Sequence, residues 1–375
     1  MRNPDLLEKT ASKLSEVGNS LKTKPALIGL DGFVDEIVRM VDKRQSLTEF
    51  STIPTLSALA DRIAHAAGKS ANIELVVQKM KLGGNGPIMA NALAAFGVPV
   101  TYIGNLGYPT LHPVFEELAK RARVISIANP GHTDALEFDD GKLMLGKIES
   151  LNDITWENLM QRVGEQKLVQ LLSDAQLVGL ENWTMIPYMS DIWENLLQKI
   201  CPRLPDACKN HFIFFDLADP AKRLAEDIRA ALELIASFQN YFQVILGTNE
   251  KEGFEIAEVL GVKQPNNQKE AMRRMAQEIR NKLGVYNVII HPTQYAVAAS
   301  AEEVKLIDGP WEPKPLISTG AGDHFNAGFC LGQLLGFDLE MSLLTGVTTS
   351  GFYVRTAKSP DLEDLISFMK NWPTP

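Results

Sequence analysis

Short, continuously apolar runs alternate with helical patterns along most of this chain, and that alternation constrains the fold more than any other feature. The runs are Ala26–Leu30, Val100–Ile103, Val124–Ala128, Gln176–Leu180, His211–Asp216, Gln243–Leu246 and Val288–His291. Strands with one wet face alternate apolar and polar residues, whereas strands covered on both faces read as unbroken apolar runs. Between these runs lie the helical patterns Pro87–Phe96, Leu111–Arg121, Met189–Lys199, Ala221–Phe238, Glu252–Leu260 and Lys269–Leu283. The rhythm predicts an α/β fold: an open, mostly parallel sheet with helices on both faces.

Two stretches break the rhythm. Residues 39–82 contain one helical pattern, Leu56–Ala67, and residues 130–150 carry Asp139-Asp140-Gly141 between apolar runs, a hairpin signal. Both are expected to form a small β-rich lid at the sheet's edge. No linker rich in Pro, Gly or Ser divides the chain, and no internal repeat is visible. Residues 1–375 are therefore expected to form a single domain, with lid insertions at about 39–82 and 130–150.

Composition excludes several classes. The 375 residues carry 37 basic and 46 acidic side chains, a net charge of -9. That balance argues against a nucleic-acid partner and an anionic membrane surface, though not against a local phosphate pocket. Three cysteines are too few for a disulfide scaffold, and Cys201 and Cys208 do not have zinc-ligand spacing. No apolar run reaches the length of a membrane span. The segment Met1–Lys24 is amphipathic, with Leu7, Leu14, Val17 and Leu21 near one helical face, and lacks the apolar core of a signal peptide. A cytoplasmic protein is expected.

The sharpest local feature is Gly320-Ala321-Gly322-Asp323, which opens a helix of about Asp323–Leu335. Glycines at a helix start let backbone N–H groups turn toward an anion, and the helix terminus adds partial positive charge. Asp323 then offers a base beside an anion cradle, although an aspartate there also serves as an ordinary cap. Gly83-Gly84-Asn85-Gly86-Pro87 is a second such turn, where Asn85 can donate to and accept from a sugar hydroxyl. Its plain alternative is a strand-to-helix connection. Asp31 and Asp35 follow the first strand and Glu181 follows another, so all three carboxylates fall where open parallel sheets bind ligands. Asn249 and Glu252 have the spacing of a capping box, and the same pair could serve a phosphate or a hydrated magnesium ion. Gly68-Lys69-Ser70 lacks the upstream glycine of a P-loop; neither a dinucleotide fingerprint nor a nucleophile elbow occurs.

Taken in order, these strings resemble the ribokinase-like (PfkB) carbohydrate kinase family over about residues 26–357. Ser318-Thr319-Gly320-Ala321-Gly322-Asp323-His324-Phe325-Asn326-Ala327-Gly328-Phe329 is similar to that family's second signature. Gly83-Gly84-Asn85-Gly86 through Leu93-Ala94-Ala95-Phe96-Gly97 is similar to its first, and Asn249-x-x-Glu252 to its N-x-x-E motif. The resemblance implies the ribokinase-like fold and an ATP- and magnesium-dependent kinase acting on a hydroxyl of a small sugar or sugar-like alcohol. It implies Asp323 as general base, with Gly320, Ala321 and Gly322 stabilising the transferring phosphoryl group. Asp31, Asp35, Gly83, Gly84, Asn85 and Glu181 would surround the sugar. Asn249, Glu252 and Thr319 would serve the nucleotide and magnesium, the metal held through Glu252 and water. A homodimer is compatible with it.

The chain departs from the family at several positions. Ile317 replaces the aspartate that often helps bind a monovalent cation, which leaves potassium dependence open. His291-Pro292-Thr293-Gln294-Tyr295-Ala296 replaces a glycine-bearing turn of the nucleotide site. Ile88 stands where Asn is common and Tyr108 where Asp is common. Alternative readings are a nucleoside kinase on the same fold, or a catalytically weak metabolite-binding protein.

Overall fold

The computed structural model describes residues 3–263 and 269–373. In chain order the strands are β1 (Ala26–Leu30), β2 (Phe33–Arg44), β3 (Phe50–Thr52), β4 (Leu75–Gly83), β5 (Val100–Gly104), β6 (Arg123–Ser126) and β7 (Gly131–Phe138). They continue as β8 (Gly141–Lys147), β9 (Leu177–Glu181), β10 (Phe212–Asp216), β11 (Gln243–Asn249), β12 (Asn287–His291), β13 (Tyr295–Ala299) and β14 (Val304–Asp308). Nine of them form one sheet in the order β14-β13-β12-β11-β10-β9-β1-β5-β6. The neighbours from β12 to β6 pair in parallel, and β13 and β14 add an antiparallel edge. This is the expected open, mostly parallel sheet.

The apolar runs became strands because both sheet faces are covered. Phe214 and Phe215 point to opposite sides of β10 and are fully buried in different core clusters. The cluster around Phe214 includes Phe329 of the helix Ala321–Leu334. That helix packs on Leu339–Thr356 so closely that a Cβ on Gly328 would lie 2.4 Å from Thr349 Oγ1.

A five-stranded second sheet is built from the two stretches that broke the rhythm, with the order β3-β2-β7-β8 and β4 paired to the other side of β2. The Asp139-Asp140 turn closes the β7–β8 hairpin, Phe138 opposite Gly141. The helix Leu56–His65 covers part of one face, where Leu59 packs with Val38, Leu136 and Phe138.

Some elements differ from expectation. The helix expected at Leu111–Arg121 is confined to Glu116–Arg121, because Pro113 holds His112 extended and only a 3-10 turn precedes the helix. The helix from Met189 is α-helical only to Asn195 and continues as a π-turn, Leu196–Ile200. The hairpin β13–β14 and the helix Leu339–Thr356 were not expected. The latter is buried along most of its length and carries no one-faced apolar pattern.

Candidate active site

The winding of the large sheet reverses at β1: β5 and β6 lie to one side, β9 through β12 to the other. A ligand can approach a parallel sheet in the crevice beyond the carboxyl ends at such a reversal. Asp31 follows β1, while Glu181, Asp216, Asn249 and His291 end β9, β10, β11 and β12. The backbone is distorted there. Asn182, Ala218 and Asp219 adopt left-handed φ values of 61°, 58° and 61°. Such conformations cost residues with side chains about 1–3 kcal/mol each and cluster at working sites.

The first glycine turn wraps a carboxylate. Asp31 accepts from the N–H groups of Asn85 and Gly86, both at 3.0 Å, and from Asn182 Nδ2 at 2.7 Å. A Cβ on Gly84 or Gly86 would sit 2.8 Å from an Asp31 oxygen, so only glycine permits the wrap. Asp31 is fully buried behind the cavity and fixes the turn from below. Burial pushes its carboxyl up to about 6, against the pull of those hydrogen bonds. Gly83 lies against Asp35 in the same way: a Cβ there would meet the carboxylate at 2.4 Å.

The second turn pivots on Gly320, at φ 92°, and opens the helix Ala321–Leu334. The N–H of Ala321 folds back onto Ser318 O at 3.2 Å. The N–H groups of Gly320 and Gly322 have no acceptor among the described residues, while the Asp323 N–H faces its own carboxylate. Unpaired donors at a helix start form a cradle for an anion. Asn85 Nδ2 donates to Asp323 Oδ1 at 2.9 Å and ties the two turns together. Burial, aided by the charges of Asp31 and Glu252, pushes Asp323 up to about 8 against the Asn85 bond.

Asn249 and Glu252 form a complete capping box: Glu252 N–H donates to Asn249 Oδ1 at 3.0 Å and Asn249 N–H to Glu252 Oε2 at 2.9 Å. The other Glu252 oxygen accepts from Asp219 N–H at 2.9 Å. The cap therefore places a carboxylate on the cavity wall. Glu252, Asp216 and Asp323 have no lysine or arginine ion-pair partner among the described residues. Burial is the first cause of the raised pKa of each. A cluster of carboxyls that burial pushes toward the neutral form, with no cation beside them, suits a hydrated divalent cation, which prefers oxygen ligands and would restore their charge.

Two cavities meet at this point. One, of about 580 Å³, is lined by Asp35, Asn85, Thr133, Asn182, Asp219 and Asp323 among others, with Phe33, Ile88, Met144 and Met185 as apolar wall. Gly84, Glu252, Thr319 and Gly320 also reach it. The other, of about 350 Å³, is lined by Asn249, Ala321 and Gly322 together with His291, Tyr295 and Trp311. His291 packs on Phe325 with ring centres 4.8 Å apart. Its Nε2 has no partner among the described residues, and burial pushes the imidazole down to about 4.

The expected residues thus converge, with Asp31 and Glu181 behind the wall. Glu181 is fully buried and neither carboxylate oxygen has a partner among the described residues. Burial first, then the charges of Asp323, Asp216 and Asp31, push its carboxyl well above the usual range. Sequence reasoning missed Asn182, Asp216 and Asp219. Asp216, at a strand's end like Glu181, carried the same signal; the positive φ of Asn182 and Asp219 is invisible in the string. Elsewhere, Glu36, His132 and Asp134 group on the far face of the small sheet, but Lys147 already neutralises Asp134 at 3.0 Å.

A family model described as prokaryotic ketohexokinase matches residues 7–372. A ketohexokinase of Haloferax volcanii is 30% identical over 348 residues, covering 92% of this chain and 91% of that protein. Among solved structures, phosphofructokinase-2 from Escherichia coli in complex with substrates and products aligns with a TM-score of 0.62 at 16% identity, over 93% of this chain and 98% of that one. Ribokinase from Thermotoga maritima aligns with a TM-score of 0.58 at 17% identity, over 93% and 100%. At these identities the structural likeness shows the fold.

Proposed function

The chain belongs to the prokaryotic ketohexokinase family and is a sugar kinase; from that premise we propose that it transfers the γ-phosphoryl group of ATP to a hydroxyl of a ketohexose, with Asp323 as the base. The observation that carries the assignment of roles is the Asn85–Asp323 hydrogen bond at the junction of the two cavities. The larger cavity offers hydroxyl partners in Asp35, Thr133, Asn85 and Asn182, and an apolar wall for the C–H face of a sugar. The smaller offers the flat surfaces of Tyr295 and Trp311 to a base, and leads to Gly322.

In this reading the sugar oxygen attacks the γ-phosphorus and its proton passes to an Asp323 oxygen. The new O–P bond forms as the bond to the β,γ-bridging oxygen breaks, and that electron pair leaves with ADP. The N–H groups of Gly320 and Gly322 stabilise charge on the transferring group, with Ala321 between them. Transfer of this kind depends on positioning and charge stabilisation more than on a strong base. Glu252 and Asn249 would hold magnesium through water; when bound, the ion neutralises nucleotide phosphate charge. Asp31 and Glu181 shape the sugar side from behind, Gly83 and Gly84 by close backbone approach, and Thr319 flanks the nucleotide. The small sheet acts as a lid of the single domain, and it also presents a face to a second copy. Leu75, Val77, Met80, Leu143 and Leu145 share the face away from the site, and each is at least 40% exposed.

The test is ADP release with magnesium-ATP against fructose, other hexoses, pentoses and nucleosides. Turnover highest with a ketohexose supports the reading. Turnover confined to a nucleoside or an aldopentose would overturn the substrate class.

A further inference from the structure

Two lysines of the small sheet reach over the site and have no role in the reading above. Lys81 pairs with Asp35 across β2 and β4, and Lys142 pairs with Glu137 across β7 and β8. That register puts both on the face that carries Asp35 and Thr133, toward the cavity. Lys142 is exposed, yet its ammonium donates to Thr319 Oγ1, one residue before Gly320. Lys81 is half-buried, and its ammonium has no hydrogen-bond or ion-pair partner among the described residues. The charges of Asp35 and Asp323 both act on it.

An exposed lysine bonded to a neutral hydroxyl is a weak strut. It restricts a side chain with about 2 kcal/mol of rotamer entropy for a bond that water readily replaces. An ammonium held next to the unpaired N–H donors of this turn gains far more from an anion, because charge-assisted hydrogen bonds are about twice as strong as neutral ones. Gly320 and Gly322 supply the donors from the large sheet's side, and Lys142 supplies the cation from the opposite side.

We propose that Lys142 and Lys81 are catalytic cations that the lid contributes to phosphoryl transfer. Lys142 exchanges Thr319 Oγ1 for an oxygen of the transferring group. Lys81, paired with Asp35 across β2 and β4, balances negative charge on the sugar side of the same face. Neither lysine gives up a proton. The inference rests on the reading of Gly320–Asp323 as the transfer centre.

The test compares Lys142→Gln, Lys142→Arg, Lys142→Cys and Lys81→Gln with Asp323→Asn in the full-length enzyme, with melting curves to confirm folding. Gln keeps a donor for Thr319 and removes the charge. Lys142→Gln is expected to lower kcat by about 10²-fold, the scale of losing one preorganised donor, with the sugar KM little changed. Arg should recover most of the loss. Aminoethylation of Lys142→Cys with 2-bromoethylamine should restore turnover, and the native Cys201, Cys208 and Cys330 are buried away from the reagent. Lys81→Gln should lower kcat in the same sense. Full turnover in Lys142→Gln, or a loss confined to the sugar KM, overturns the inference and leaves the transfer centre standing. Full turnover in Asp323→Asn overturns both.

Discussion

Asn85 and Asp323, 238 positions apart in the chain, are joined by a 2.9 Å hydrogen bond from the asparagine amide to the aspartate's Oδ1. The bond does two things at once. It locks the first glycine turn against the second, and it favours the ionised form of a carboxyl that burial otherwise holds protonated up to about 8. In the proposed reading, a base in that position is selected by geometry, and magnesium bound with the nucleotide would favour its ionised form.

Asp323→Asn keeps the size and the contact to Asn85 while removing the base. Its kcat should fall by about 10²–10⁴-fold, the range for general acid–base groups, with sugar binding by calorimetry nearly unchanged. In the unmodified enzyme kcat/KM should rise with pH as Asp323 ionises, and that limb should move to lower pH as magnesium is raised. Asp323→Asn with normal turnover would remove this residue from the chemistry.

How much of this was legible in the string depends on which physical signal each residue leaves. The strands of the large sheet were readable because β1 and β9 are buried at every position. The glycine turns were readable because glycine is demanded by contacts such as that between Gly86 and Asp31. The β13–β14 edge and the helix Leu339–Thr356 were not. The hairpin's first strand lies in the segment compared with a family turn, and the helix is buried on too many sides to show one-faced periodicity. Asn182 and Asp219 escaped because their role depends on φ, which a residue name does not report. Lys81 and Lys142 escaped because they reach the site only through the register of a sheet formed from distant segments.

Buried carboxyls set the pH dependence of stability. Asp31 is raised to about 6 and Asp323 to about 8, and burial drives Glu181 and Asp216 well up. Each binds its proton more tightly folded than unfolded. Their contribution is complete below the ordinary carboxyl range and is lost as pH rises through the folded values. Each titrating group adds a slope of at most about 1.4 kcal/mol per pH unit. The ligand-free protein should therefore melt at lower temperature at pH 8 than at pH 6. Glu181→Gln, which replaces an unpartnered carboxyl with a neutral isostere, should flatten that dependence. A melting temperature that climbs over this interval would contradict the assignment.

Gly83→Ala separates the two substrates. The added Cβ would lie 2.4 Å from the Asp35 carboxylate, while Gly320 and Asn249 are untouched by it. Asp35 must rotate or shift, so the sugar KM should rise tenfold or more, on the scale of about 1–3 kcal/mol for one lost hydrogen bond to a charged group. The KM for ATP should stay within a few-fold. Equal changes in both constants would mean that the turn supports the whole site, not the sugar side alone.

The outer face of the small sheet carries the last prediction. Leu75, Val77, Met80, Leu143 and Leu145 lie on one surface by the register of β4 with β2 and of β8 with β7. The helix Leu56–His65 covers only the neighbouring part around Val38 and Leu136. The exposed residues form two apolar strips, on β4 and on β8, that flank the Glu36, His132 and Asp134 group and the helix; apolar strips of this kind are stabilised by matching surfaces, and a two-fold partner offers the same ones. Leu145→Asp places a carboxylate beside Asp134, its partner across β7 and β8. Sedimentation should show the unmodified chain as a dimer and this variant as a monomer at the same concentration. The variant should also lose activity, because Lys142 lies three residues away on the same strand and depends on the sheet's alignment. A monomeric unmodified chain with full turnover would show that the lid works without a partner.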